Sequence, residues 1–399
     1  MIPVPLYAEA PALPAGAEPR PPAIVTPAPR EVSFGLVQGR VFAGTTEVRV
    51  LVDGDVLRRR DVAGPAPFAF TLALPPRDVR IRVVALNGRG GRSSTAVGPV
   101  FGLPAAGRPE ATRRSREDAT LARRLRRLAR GYGGTAAVYV QGLQSARGAA
   151  WNAGARFLAG STLKAAIAVE VLRRETARPR PGSTLAGLLR QMLVVSDNRA
   201  ANELLVRLGG STSGGAAHVN TLMRSLGMQD SLMYGGYEVL TAGPRRIPVR
   251  VNEQPAIGVG KYTTAYDLAR LHRAVNQAAR GRGPLPRIAG SFGRRDARYL
   301  LWLLARVDDH GKLDRLLPAH RTAVLHKAGW ISRARHDAGV VYWRGGSYVA
   351  AVMTWNANGA GTSSDVLAGR VAERALDRFR ALERARTTAP AGPGTTIPG

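Results

Sequence analysis

The stretch FLAGSTLKAAIAVEVLRR, residues 157–174, sets Ser161 three places ahead of Lys164, where an apolar helix begins. The chain carries 58 Lys+Arg, yet only four are lysines: Lys164, Lys261, Lys312 and Lys327. A lysine in the first turn of a helix sits against the helix dipole, which disfavours a cation there. An alcohol is a weak nucleophile at neutral pH and needs a nearby base. Lysine serves as that base once it loses its proton; arginine effectively never does. Three residues of helix bring Ser161 and Lys164 onto one face, and burial and the positive helix end push the amine toward neutrality. The same helix end points backbone N–H groups at a developing oxyanion. The plainer alternative is that Ser161 caps the helix and Lys164 is a surface lysine.

Outward from this stretch, strand-like and helical patterns alternate. Upstream, TAAVYVQGL and SARGAAWNAGARF read as an antiparallel pair, preceded by RRLRRLAR, an amphipathic surface helix with Leu121, Leu125 and Leu128 on one face. Helices dominate from Ser161 to about Ala279, and AVLHKAGW, DAGVVYWR and SYVAAVMTW return as strands, with Gly345-Gly346 joining the last two. A helix from Ser364 to about Arg386 closes the unit. The expected fold of residues 115–386 is α+β, an antiparallel sheet flanked by helices with an inserted helical subdomain and a cleft between them. Residues 31–104 show short alternating strands and an Asp53-Gly54 hairpin turn, a small all-β sandwich similar to bacterial immunoglobulin-like modules. Residues 1–30 are Pro/Ala-rich and, with the tail 387–399, are expected to be disordered.

Composition excludes several chemistries. No cysteine is present, which removes disulfides, thiolate metal sites and a cysteine nucleophile. The six histidines are dispersed without an H-E-x-x-H or a close pair, so no metal site and no cofactor are expected. The net charge of +30 comes from scattered arginines with no interleaved aromatics, so no nucleic-acid partner is expected. No apolar run is long enough to span a membrane. The start, MIPVPLYAEAPALPAGAEPRPP, lacks the basic and apolar regions of a signal peptide.

Two further stretches carry candidate chemistry. In LVVSDNRAANELLVRLGG, Ser196, Asp197 and Asn198 precede an apolar-periodic helix, where capping alone accounts for all three and leaves Asn202 and Glu203 as helix surface. In LHKAGW, Lys327, Ala328 and Gly329 lie on a strand. A strand-borne lysine beside a glycine holds a carboxylate while the backbone pairs with an extended substrate; a strand-end lysine near a bulge glycine is the plainer alternative.

In order along the chain, the three match the S-x-x-K, S-D-N and K-T-G set, the last as K-A-G, so residues 115–386 resemble the class A serine β-lactamase family. The resemblance implies that Ser161 is the nucleophile, Lys164 its proton acceptor, and Ser196 the shuttle to the leaving nitrogen. It implies that Asn198 binds the substrate amide and holds Lys164, while Lys327 attracts the substrate carboxylate. The N–H groups of Ser161 and Trp330, beside Gly329, would form the oxyanion hole. The hydrolytic glutamate would be Glu238, with Glu253 as fallback; the asparagine of the family's E-x-x-L-N is replaced by Ala242. Ala328 stands where a hydroxyl usually helps hold the carboxylate, a loss that Arg333 and Arg335 would compensate. The interval from Ser161 to Ser196 is shorter than usual in the family, which implies a trimmed helical subdomain and a more open cleft.

The expected activity is β-lactam hydrolysis through an acyl-enzyme. The alternatives are a D-Ala-D-Ala carboxypeptidase or related peptidoglycan amidase with the same nucleophile, and a non-catalytic wall-binding protein. The expected partner is a β-lactam or a peptidoglycan stem peptide and the expected state a monomer. Both enzymatic readings place the protein outside the cytoplasm, with an export signal upstream of this start or another route.

Overall fold

The computed structural model describes residues 18–104, 110–111, 115–238, 247–249, 251, 253–255, 257–288, 290 and 292–388. The chain falls into two compact units, Met1–Gly107 and Arg108–Gly399.

The first unit alternates apolar and polar residues with the period of two that half-buried strands require. Its strands are β1 (Ala23–Thr26), β2 (Val32–Ser33), β3 (Leu36–Val41), β4 (Glu47–Val52), β5 (Asp55–Asp61), β6 (Ala66–Thr71), β7 (Asp78–Leu86) and β8 (Arg92–Gly102). They form two sheets, ordered β1-β3-β6 and β2-β8-β7-β4-β5. Val37, Val41, Phe68 and Phe70 of the smaller sheet share one core with Val48, Val50, Ile81 and Val83 of the larger. The β4–β5 turn places Asp53 at φ 52° and Gly54 at φ 107°, the left-handed pair that a two-residue hairpin demands.

The lead-in expected to stay disordered through residue 30 joins this fold earlier. Ala23–Thr26 pairs antiparallel with β3, Ala23 opposite Arg40. The segment AIVT carries two β-branched apolar residues, and Pro21, Pro22 and Pro27 flank it rather than interrupt its ladder. The earlier part of the lead-in, and the tail from residue 389, lie outside the described residues; Thr387 and Thr388, expected to belong to that tail, are still helical.

The second unit runs β9 (Arg116–Glu117), α1 (Ala119–Arg130), β10 (Thr135–Gly142), β11 (Arg147–Trp151), β12 (Phe157–Leu158), a 3-10 turn (Gly160–Leu163), α2 (Lys164–Arg174), α3 (Thr184–Leu193), α4 (Asn198–Gly209), α5 (Thr212–Ser225), β13 (Tyr262–Thr263), α6 (Ala265–Ala279), α7 (Arg294–Leu304), β14 (Thr322–Ile331), β15 (Ala334–Trp343), β16 (Gly346–Trp355) and α8 (Thr362–Thr388). Its main sheet is ordered β14-β15-β16-β10-β11-β9. All pairings are antiparallel except that of the two-residue β9, which lies parallel to β11. The last hairpin turns through Arg344 and Gly345, with Trp343 opposite Gly346.

The amphipathic helix α1 buries Leu121, Leu125 and Ala129 with Val371, Leu376 and Phe379 of α8 against Val138, Val140 and Val352 of the sheet. Each of the Leu, Val and Phe side chains contributes roughly 1.5–3 kcal/mol by leaving water. Tyr342 points to the other face, where its hydroxyl donates to Asn276 of α6 at 2.6 Å. Helix α2 is buried along most of its length, from Lys164 to Leu172. It packs against α3, α4 and α5, and so anchors the helical subdomain beside the sheet.

Candidate active site

Ser161 lies in the 3-10 turn, and the α-helix begins at Lys164, three residues later than the sequence pattern implies. In a 3-10 turn, residues three apart eclipse, so the two still share a face. Neither the turn nor α2 has a side-chain cap, which removes the capping account of Ser161. The turn lies against edge strand β14 because both sides carry glycine. A Cβ on Gly329 would stand 2.6 Å from Ser161 N, and one on Gly160, at φ +53°, would stand 3.1 Å from Trp330 N. The amide nitrogens of Ser161 and Trp330 are thereby brought to one spot.

Between α3 and α4, capping is done by Asp197 alone, whose carboxylate accepts from Ala200 N at 2.6 Å. Ser196 is free for other work and is held at φ +63°, a left-handed conformation that costs a non-glycine residue about 1–3 kcal/mol. Lys164 is fully buried and donates to the Ser196 carbonyl at 2.5 Å, to Asn198 Oδ1 at 2.6 Å and to Ser196 Oγ at 3.4 Å. Lys327, also fully buried, donates to the same Ser196 Oγ at 3.0 Å and to Ala328 O at 2.9 Å. One hydroxyl thus sits between two amines.

Burial, and then the charge of Lys327, bring Lys164 down to about 7, against the opposing pull of Asp197 and Glu238. Burial likewise lowers Lys327 to about 8, opposed by Asp309 and Asp337. A neutral Lys164 keeps two protons. They suit the two short acceptors that cannot donate, the carbonyl and the amide oxygen, and leave the lone pair for a hydroxyl. Among the described residues Ser161 Oγ forms no hydrogen bond with Lys164; such catalytic contacts commonly tighten only when substrate binds.

A cleft of about 680 Å³ opens above these groups, lined by Ser161, Ser196, Asn198, Tyr237, Glu238, Lys261 and Trp330 among others. Eight of the residues singled out from the sequence therefore converge: Ser161, Ser196, Asn198, Glu238 and Trp330 on the wall, Lys164 and Lys327 beneath it, and Gly329 against the turn. Trp330 is 61% exposed and offers an apolar plate at the rim. Glu238 is exposed, at φ +55°. Glu253 is not among the lining residues; its carbonyl accepts from Asn152 at 3.0 Å. Arg335 is spent on an ion pair with Asp365, and neither it nor Arg333 lines the cleft.

The sequence reading missed three participants. Asn202, assigned to helix surface, clamps the Tyr237 peptide from both sides, accepting from its N–H at 2.7 Å and donating to its carbonyl at 2.8 Å. Tyr237 is buried and lies under two lysine amines, with Lys164 Nζ 4.6 Å and Lys261 Nζ 5.1 Å from its ring centroid. Lys261, lowered by burial, lines the cleft wall, where Arg333 and Arg335 do not. The scarcity of lysine was the one signal pointing to it.

A family model described as the beta-lactamase enzyme family matches residues 175–379, just over half the chain. The match starts downstream of Ser161 and Lys164 and takes in Ser196, Asn198, Glu238 and Lys327. The structure of PBP-A superposes with a TM-score of 0.53 at 20% identity, covering 68% of this chain and 100% of that one. A PBP-A mutant solved as an acyl-enzyme complex with penicillin G gives 0.52 at 21% identity, covering 67% and 99%. A β-lactamase from Streptosporangium roseum gives 0.52 at 20% identity, covering 66% and 99%. At such identities the likeness is one of fold. No curated protein sequence matches the chain.

Proposed function

The chain belongs to the beta-lactamase enzyme family, and on that premise we propose that its carboxy-terminal unit is a serine hydrolase that opens the β-lactam ring through a covalent acyl-enzyme. The observation that carries this reading is the Ser196 hydroxyl held between two buried amines, beside a serine whose turn packs closely on the Gly329-Trp330 backbone of β14. Ser161 Oγ attacks the lactam carbonyl and its proton passes to neutral Lys164. The Oγ–C bond forms and the C–N bond breaks, and the nitrogen takes up a proton through Ser196. The carbonyl oxygen, negative in transit, is met by the N–H groups of Ser161 and Trp330. Lys327 and Asn198 receive the substrate's carboxylate and amide. Water then adds to the ester, yielding its proton to Glu238, and Ser161 leaves with its proton restored.

Two observations favour a second reading, a peptidoglycan D-Ala-D-Ala carboxypeptidase or related amidase. Glu238 forms no side-chain hydrogen bond to a described residue, and Ala328 supplies no hydroxyl to the carboxylate. A weakly held water would slow deacylation without touching acylation. A chromogenic cephalosporin separates the two: steady turnover supports the first reading, and a single stoichiometric burst supports the second. Absence of both, with no labelling of Ser161 by a fluorescent penicillin, would overturn each.

Either substrate lies outside the cytoplasm, so the site of action is extracytoplasmic. Among the described residues no helix is long and apolar enough to cross a membrane. The amino-terminal unit, two sheets over a Val/Phe core, is read as an immunoglobulin-like module.

A further inference from the structure

The segment between α7 and β14 carries His310 and Asp314, and β14 itself carries His326, next to Lys327. Side chains alternate across a strand. Lys327 reaches into the cleft, so His326 faces the other side of β14. There one ligand atom from each of His310, Asp314 and His326 lies within 4.8 Å of the others. We propose that these three side chains form a binding site for a divalent transition metal of zinc type, behind the strand that carries Lys327.

Two of the three ligands, His326 and Asp314, are already oriented by a bond from outside the cluster. Asp337 is fully buried and holds His326 Nδ1 with both carboxylate oxygens at 2.8 Å, which leaves Nε2 as the free donor. Leu313 N, at 3.1 Å, fixes Asp337 in turn. Asp314 Oδ1 accepts from Gly311 N at 2.8 Å and Lys312 N at 2.9 Å, leaving Oδ2 toward His310 Nδ1 at 2.9 Å. Carboxylate-bound histidine is the arrangement that raises imidazole basicity and sets the ring for a metal. Two nitrogens and one carboxylate oxygen are a zinc donor set, with a fourth position left for water. With bonds of about 2.0 Å, tetrahedral ligand atoms stand roughly 3.3 Å apart, so the His310–Asp314 pair needs little adjustment to share an ion. Lys312, two residues from His310 and Asp314, is engaged by Asp309, and Lys327 is turned to the cleft side of β14. The His310 side chain is 67% exposed, which gives an ion a way in.

The experiment is calorimetric titration of the chelator-treated full-length protein with zinc chloride, with cobalt(II) as a spectroscopic probe of the ligand set. The parent protein should bind one equivalent. His310→Ala removes an exposed ligand with no threat to the core and should weaken binding by at least about tenfold. Asp337→Asn, where circular dichroism shows it folded, should weaken binding by about 10–100-fold through the loosened His326 ring. His320→Ala, an exposed histidine outside the cluster, should leave binding unchanged. No saturable binding by the parent, unaltered binding in His310→Ala, or an equal loss in His320→Ala would each overturn the proposal.

Discussion

The core of the amino-terminal sandwich is built from Val37, Val50, Phe68, Ile81 and their neighbours, and Glu31 is the one ionisable side chain buried in that unit among the described residues. The carboxy-terminal unit, in contrast, buries Lys164, Lys327, Glu170, Asp267, His326 and Asp337. Taking an ammonium out of water costs several kcal/mol, which a hydrocarbon side chain at the same place avoids. Glu170 is offset by Arg173 and Arg174, and Asp337 by His326. Lys164 and Lys327 are not: each binds neutral oxygens, and both bind one hydroxyl. Buried amines with no carboxylate in direct contact mark a place arranged for proton transfer rather than for stability. The sandwich shows what the same chain does where only packing matters.

The contrast is broken most sharply at Ser161. Ser161→Ala should abolish the covalent adduct with benzylpenicillin, with hydrolysis falling by at least about 10³-fold; intact-mass spectrometry reads both. A surviving adduct of the same mass would move the nucleophile elsewhere. Glu238→Gln should leave the acylation burst and slow turnover by about 10²–10⁴-fold, so that adduct accumulates. An unchanged steady rate would remove Glu238 from the reaction.

Lys164 sets the pH dependence. Acylation should climb about tenfold per pH unit below about 7 and level off above it, as the amine loses its proton. Stability follows the same group in a different window. In the unfolded chain lysine holds its proton up to its ordinary value of 10.5, whereas the folded chain releases it from about 7. The unfolded state therefore binds more protons across that window, and stability should rise with pH from about 7 to about 10.5. Lys327, lowered to about 8, adds in the same sense. Urea titrations across pH check this, and Lys164→Met should flatten the slope.

Lys261→Ala should raise KM roughly two- to fivefold for a carboxylate-bearing substrate with little change in kcat, as a partly exposed charge contact would. The smallest effect on chemistry is expected from Val50→Ala in the sandwich core. It should lower that unit's unfolding free energy by about 1–3 kcal/mol and leave acylation of Ser161 unaltered. A changed acylation rate would show that the two units are coupled.

Much of the site was legible because its parts are local patterns. Ser161 and Lys164 are three apart on one turn, Ser196 and Asn198 flank one cap, and Lys327 precedes a glycine on one strand. A lysine kept amid arginines is visible in composition alone. Asn202 was not legible, because its partner is a backbone peptide in a loop 35 residues away. Arg335 was misread, since Asp365, which takes its charge, comes from α8. The His310–His326 approach is invisible to sequence spacing, because strand pairing brings Asp337 and the preceding loop to it.

From sequence alone came the order of elements, the apolar faces and the residue types able to titrate, since periodicity and side-chain chemistry are properties of short segments. Tertiary structure decided which amines lose their water and which hydroxyl they share. It also decided where the serine amide meets the strand amide, with two glycines making the room. Desolvation and close approach depend on what packs from distant parts of the chain, and no local pattern carries that information.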